Sequence, residues 1–167
     1  MKTLKTVRLK PNPIGKDRTR HGATATQLGA EWVDIQNVGQ YSVDMGDVRL
    51  YHIAYSRGDR NGRWEEASSF TGFLPAGATV RVHCGNGPVS VLRAEDQQGA
   101  EYHLFTGRNN YIWNNAEGDC SALWQTGESA PFDKACYAPN PPDGVVLQRV
   151  GDSLVASAAA TAGYQRY

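Results

Sequence analysis

From Leu4 to Tyr137 the chain is a succession of short, β-rich runs in which apolar residues recur at every second position. Each run is closed within a few residues by Gly, Pro, Asn or Asp. Side chains on a strand point alternately to opposite faces, so a period of two marks a strand with one buried face. Residues that accept positive φ or lack an N–H mark where it ends. The clearest run is Glu31-Trp32-Val33-Asp34-Ile35-Gln36-Asn37, with Val33 and Ile35 on one face and Trp32, Asp34 and Gln36 on the other; Asn37-Val38-Gly39 stops it. About eight to ten such runs, with turn signals at short intervals and no helical period, predict an all-β chain, an antiparallel β-sandwich or a barrel. Only the tail from Leu154 to Ala162 is alanine-rich enough to be helical.

At 167 residues the chain has the length of one domain, and a compact domain of this size buries roughly 70% of its unfolded surface, enough for a core without staples. The 17 Lys and Arg balance the 17 Asp and Glu, so no whole-chain field marks a nucleic-acid or membrane protein. The basic residues are unevenly placed: Lys2, Lys5, Arg8, Lys10, Lys16, Arg18 and Arg20 face a single acid, Asp17, in the first 21 positions. No window holds the roughly 18 consecutive apolar residues of a membrane helix, and the N-terminus lacks the apolar stretch of a signal peptide. Membrane insertion is not expected, and no compartment is indicated. Cys84, Cys120 and Cys136 are odd in number and include no Cys-x-x-Cys, so at most one pair forms, with Cys120 and Cys136 the pair to test first and Cys84 a small buried hydrophobe.

Taken in order, Leu4 to Lys10 reads as a strand with Val7 and Leu9 inward, ended by Pro11-Asn12-Pro13-Ile14-Gly15. Its lysines and arginines read as charges that keep an edge strand from pairing with another molecule. Residues 16 to 30 form a polar connection. Val48 to Tyr55 is apolar on both faces, as an interior strand is. Residues 56 to 67 are polar and broken by Gly, which predicts a surface loop; the tripeptide Arg57-Gly58-Asp59 within it is of a kind that recurs by chance. Further strands are expected at Phe70–Leu74, Thr79–Cys84 with Val80, Val82 and Cys84 inward, Val89–Arg93, Tyr102–Thr106, Tyr111–Asn115, Ser121–Gln125 and Phe132–Tyr137.

Several pieces recur in an order that resembles the lamin tail domain, the immunoglobulin-like module of nuclear lamins and of many bacterial proteins. They are Asn12-Pro13-Ile14-Gly15-Lys16-Asp17, Glu31 to Asn37, Val43-Asp44-Met45-Gly46-Asp47-Val48-Arg49-Leu50, Leu74-Pro75-Ala76-Gly77, Leu104-Phe105-Thr106-Gly107-Arg108, Trp113-Asn114-Asn115 and Gly118-Asp119. Order and spacing fit the bacterial members better than the lamins. The resemblance implies an immunoglobulin-like antiparallel β-sandwich over residues 1–138, followed by a C-terminal extension, 139–167, holding one added hairpin and a flexible or helical tail. Asp47-Val48 departs from the Gly-Trp usual in the family. The stretches 56–70 and 139–167 have no counterpart, and the cysteine pair of antibody domains is missing.

Chemistry is sparse. His21, His52, His83 and His103 lie far apart; no phosphate loop, dinucleotide fingerprint or Gly-x-Ser-x-Gly is present, and no cofactor is expected. Asn12, Asp17, Glu31 and Asp34 offer oxygen ligands of the kind calcium takes, and so do Asn114, Asn115 and Asp119, against the simpler reading that each bonds its own turn. Glu65-Glu66 and Glu95-Asp96 read as solvated surface. Trp32, Val33, Ile35 and Trp113 are expected in structural roles, and Asn115 as a latch where a strand enters a bend. These signals predict a non-catalytic structural or binding module that meets a protein partner, or itself, within a larger assembly. The alternatives are nucleic-acid binding through Lys10, Lys16, Arg18, Arg20 and His21, suggested also by the DNA contacts of lamin tails, and an accessory carbohydrate-binding domain that stacks sugars on Trp64, Tyr111 or Trp124.

Overall fold

The computed structural model describes residues 2–16, 22–56 and 58–156, so Asp17, Arg18, Arg20, His21, Arg57 and the tail beyond Ala156 lie outside the described residues. The strands are β1 (Leu4–Lys10), β2 (Trp32–Asn37), β3 (Val43–Asp44), β4 (Val48–Ser56), β5 (Asp59–Ser69), β6 (Phe73–Leu74), β7 (Thr79–His83), β8 (Tyr102–Phe105), β9 (Asp119–Gln125), β10 (Asp133–Tyr137), β11 (Leu147–Val150) and β12 (Ser153–Ala156). Two short helices, α1 (Ala25–Gly29) and α2 (Ala94–Gln97), complete the description, and the protein is all-β.

Ten strands form one sheet in the order β5-β4-β9-β10-β12-β11-β1-β2-β7-β8, while β3 and β6 pair separately. Neighbours are antiparallel except β7 with β8 and β10 with β12. Every second residue from opposite halves of this sheet enters the same core: Leu9, Val33, Ile35 and Val82 from one half meet Val48, Leu50, Leu123 and Ala135 from the other. A single sheet can bury one face against itself only by curling, and it curls into a near-barrel. Arg108, in the segment that follows edge strand β8, reaches the other edge strand, donating to Glu65 of β5 at 2.8 Å and to the Glu66 carbonyl.

Several expectations are corrected. β1 is interior, paired with β2 on one side and β11 on the other, and its partner β11 lies so far along the chain that its charges suggested an edge. A register shift between Thr6 and Arg8 turns the strand, so Leu4, Thr6 and Leu9 are buried and Val7 is only half-buried. The loop expected at 56–67 is mostly β5, the true edge, whose outer side is polar because water covers it. Gly62 there has φ +69 and faces Ile53 so closely that a Cβ would lie 2.3 Å from its methyl group. Within the connection 16–30, α1 is closed by a capping box between Thr24 and Gln27. The strand expected at Val89–Arg93 is a 3-10 turn, Val89–Val91. Residues 111–115 are irregular, although Trp113 is buried as expected, and Trp32, Val33 and Ile35 are buried in β2. Beyond residue 138 the hairpin β11–β12 is inserted between β10 and β1 in the same sheet, and Leu154 to Ala156 is strand rather than helix. Cys120 and Cys136 face each other on β9 and β10 and are bridged, while Cys84 is free and buried.

Candidate functional site

The outward positions of β4, β5 and β9 build an exposed aromatic face. Alternation turns Val48, Leu50 and Leu123 inward, so Arg49, Tyr51 and Ile53 of β4 point out with Trp124 of β9. Ile53 lies opposite Trp64 of β5 and Arg49 opposite Trp124. The rings meet edge to face: Trp64 and Trp124 have centroids 5.2 Å apart, and Tyr51 and Trp124 4.9 Å. Trp64 keeps 39% of its surface exposed. A shallow groove of about 310 Å3 runs over these rings. Its polar flank holds Arg49 and Glu66, paired across the strands at 3.4 Å, together with Gln125 and Glu128. Two steeply inclined rings leave an apolar notch between them, and the flank supplies donors and acceptors with two carboxylates, Glu66 and Glu128, to the one guanidinium of Arg49. Trp64 is therefore placed in a cluster, joined by Tyr51 and Trp124, while Tyr111 lies elsewhere, beside Lys16.

The cationic candidates are placed differently. Lys10 Nζ is 2.7 Å from Asp96 and Lys16 Nζ 2.5 Å from Glu31, with the lysine side chains 6% and 5% exposed and both carboxylates fully enclosed. Neither amine is presented to a phosphate. Arg8 and Arg81 both bind Asp34, Arg81 in a two-pronged contact at 2.6 and 2.8 Å, and the Arg81 guanidinium lies 3.6 Å from the Trp32 ring centre. Among the described oxygen ligands, Asn12, Glu31 and Asp34 do not gather, whereas Asn114 and Asp119 meet in a hydrogen bond of 2.8 Å. Glu31 and Asp34 are held by different cations, and Asn12 donates to the Pro141 carbonyl and to Asp143. Among the described residues no group of three or more His, Cys, Asp or Glu is placed to hold a metal ion. Asp96 is buried rather than solvated, and Glu65 accepts from Arg108 and contacts His52.

Two histidine clusters emerge that sequence spacing did not reveal. His52 lies between Asp119 and Glu65, 3.2 Å from each, with the Trp113 ring edge-on at 5.9 Å. Burial pulls its pKa down, but the hydrogen bonds and charges of Asp119 and Glu65 outweigh this and hold it above the usual value. His83 donates from Nδ1 to the Gly29 carbonyl at 2.6 Å, which leaves Nε2 to accept from His103 Nδ1 at 2.8 Å. Burial presses the His83 pKa down to about 4, so it is neutral at pH 7. Both clusters tie neighbouring elements together: β4 to β5 and β9, and β7 to β8 and α1.

Glu31 is enclosed by donors on several sides. Its Oε1 accepts from the backbone N–H of Ile112 and Trp113 and from the Cys84 thiol, at 2.8, 3.2 and 2.9 Å. Burial raises its pKa, against the opposing pull of Lys16, and holds that of Cys84 well above its usual value. Lys16 Nζ also donates to the carbonyls of Pro11 and Trp113 at 2.8 and 2.6 Å and to Asn115 Oδ1 at 3.3 Å. The latch expected of Asn115 is made by its neighbour. Asn114 Nδ2 donates to the Ile53 carbonyl at 2.6 Å and to Asp119 at 2.8 Å, while Asn115 uses its carbonyl to accept from the Asn140 N–H at 2.7 Å.

In comparisons with protein-family models and with curated proteins, no family model and no curated protein matches the chain.

Proposed function

We propose that the protein is a non-catalytic binding module of the lamin-tail type, an immunoglobulin-like sandwich whose two layers are the two halves of the curled sheet. It engages a protein partner, or a second copy of itself, within a larger assembly through the face of Tyr51, Trp64 and Trp124. The observation that carries this reading is the clustering of large rings on the solvent side of β4, β5 and β9 beside a polar flank of Arg49, Glu66, Gln125 and Glu128. Aromatic side chains with a polar rim are the groups that dominate contact energy at recognition surfaces. A carbohydrate is the second reading, favoured by the same rings, with Glu66, Gln125 and Glu128 within reach to bond hydroxyl groups. Of the nucleic-acid candidates, Lys10 and Lys16 are enclosed in ion pairs, which weakens that reading, while Arg18, Arg20 and His21 lie outside the described residues.

The test compares the wild-type chain with Trp64→Ala in sedimentation and in binding to immobilised glycans and to peptide arrays. Self-association or peptide binding that the variant loses, with its circular dichroism unchanged, supports the protein reading; glycan binding lost in the same way supports the second. Binding that survives the substitution places the recognition surface elsewhere on the molecule.

A further inference from the structure

The surroundings of Glu31 bring together an amine, a carboxamide and an enclosed carboxyl group, the three components of a lysine–asparagine condensation. We propose that, after folding, Lys16 and Asn115 condense into an intramolecular isopeptide bond, with Glu31 transferring the protons. Lys16 Nζ lies 3.3 Å from Asn115 Oδ1 and 2.5 Å from Glu31 Oε2. The amine comes from the segment after β1 and the amide from the segment before β9, so the fold places them together across a separation of 99 residues. Such an arrangement turns a reaction between two groups into one within a single site, where preset geometry replaces the entropy of encounter.

The contacts around Nζ set the direction of reaction. An ammonium carries three N–H groups, but Nζ faces four oxygens: those of Pro11, Trp113, Glu31 and Asn115. The longest of the four contacts is the one to the carboxamide. Because Glu31 Oε1 already accepts from Ile112, Trp113 and Cys84, Oε2 is the atom that receives a proton from Nζ. Burial favours the neutral acid over the carboxylate, and the transfer converts an enclosed ion pair into two uncharged groups. The neutral amine keeps two N–H groups for the carbonyls of Pro11 and Trp113, and its lone pair is left to Asn115. Trp113 is buried and the Tyr111 ring centre lies 5.2 Å from Nζ, so the site is shielded from competing water.

In the step itself Nζ attacks Asn115 Cγ and the Nζ–Cγ bond forms. Glu31 hands a proton to the departing amide nitrogen, the Cγ–Nδ2 bond breaks and ammonia leaves. Of the three protons on the starting ammonium, one remains on the new amide, one departs in ammonia and one stays on Glu31. No oxidant, metal or cofactor takes part. The product is a second covalent tie, independent of the Cys120–Cys136 bridge, which spans only 16 residues.

Mass spectrometry of the full folded chain, denatured and reduced, tests the proposal. The expected mass is lower than the sequence mass by one ammonia, and a tryptic digest yields a branched peptide joining the segments that carry Lys16 and Asn115, with no cleavage after Lys16. Lys16→Arg, Asn115→Ala and Glu31→Gln each restore the full mass. Full mass with two separate linear peptides in folded wild-type protein overturns the proposal, and so does a loss of ammonia without the branched peptide, which marks a succinimide instead. The wild-type measurement decides the matter even where a variant fails to fold.

Discussion

Lys10 Nζ lies 2.7 Å from Asp96 Oδ1, and that oxygen also accepts the indole N–H of Trp32 at 2.8 Å. One carboxylate oxygen thus joins β1 and β2 to α2 through two short contacts. Taking one member of an enclosed ion pair away leaves the other charged and unpaired, whereas replacing both with apolar groups avoids that penalty. Asp96→Ala is expected to cost about 3–5 kcal/mol in denaturant unfolding, and Lys10→Met combined with Asp96→Leu to recover most of the loss. Equal losses in the single and double variants would show that the contact contributes through packing rather than charge.

The two histidine clusters act in opposite pH windows. His83 is held at about 4 in the folded state, below its unfolded value, so its contribution is complete above about pH 6.5 and is lost as the pH falls from there toward 4. The shift corresponds to roughly 3 kcal/mol. His52 is held above its unfolded value by Asp119 and Glu65, so its contribution is complete below about pH 6.5 and fades as the pH rises through the folded value. Unfolding midpoints between pH 4 and 8 check both. His83→Gln is expected to flatten the acid side of the stability profile, and His52→Gln to remove stability there while leaving the alkaline side nearly unchanged. Parallel profiles for all three proteins would contradict both assignments.

The two tryptophans Trp64 and Trp113 separate surface from core. Trp113 is 2% exposed and belongs to the hydrophobic core, so Trp113→Ala is expected to cost about 3–5 kcal/mol, as large-to-small core changes do. Trp64 stands on the rim of the groove and makes one edge-to-face contact with Trp124. Trp64→Ala is therefore expected to cost about 0.5–1.5 kcal/mol of stability, with its main effect on binding. A comparable stability loss in both would make Trp64 a packing residue and move recognition off this face.

How much of this was legible before the structure depends on which contacts are local. The period of two located β2, β4, β7 and β9, because alternation is a property of neighbouring residues. The threonine–glutamine spacing at Thr24 and Gln27 is a capping box that is visible in the sequence alone. Strand order was hidden, since β1 owes its interior place to Leu147 and Gln148, which lie far along the chain. Edge strand β5 was lost for the opposite reason: a strand wetted on one side, with Gly62 at a register shift, carries a loop's composition. Asp96 reads as solvated surface, and Glu31 and Asp34 as oxygen ligands, because the cationic partners of all three are set by tertiary structure. Trp113 was rightly placed in the core, but by an alternation argument over residues 111–115 that form no strand.

The substitution of Asn114 for Asn115 as the latch gives a sharp last test. Asp119 is buried and accepts from the N–H groups of Ile53 and Cys120, both at 2.7 Å, and from the side chain of Asn114. Asn114 in turn reaches the Ile53 carbonyl and lends its own carbonyl to the Tyr137 hydroxyl at 2.8 Å. Removing the Asn114 amide strands the Ile53 carbonyl and one bond to Asp119, so Asn114→Ala is expected to cost about 1–3 kcal/mol. Asp119→Ala leaves several enclosed donors unsatisfied as well as His52, and is expected to cost more than Asn114→Ala. Because the two residues share a direct bond, the double variant should lose less than the sum of the singles, with a coupling of about 0.5–3 kcal/mol. Denaturant unfolding of the four proteins completes the cycle. Losses that simply add would mean that Asn114 acts through Ile53 alone, and that the bend between Trp113 and β9 is fixed without the Asn114–Asp119 bond.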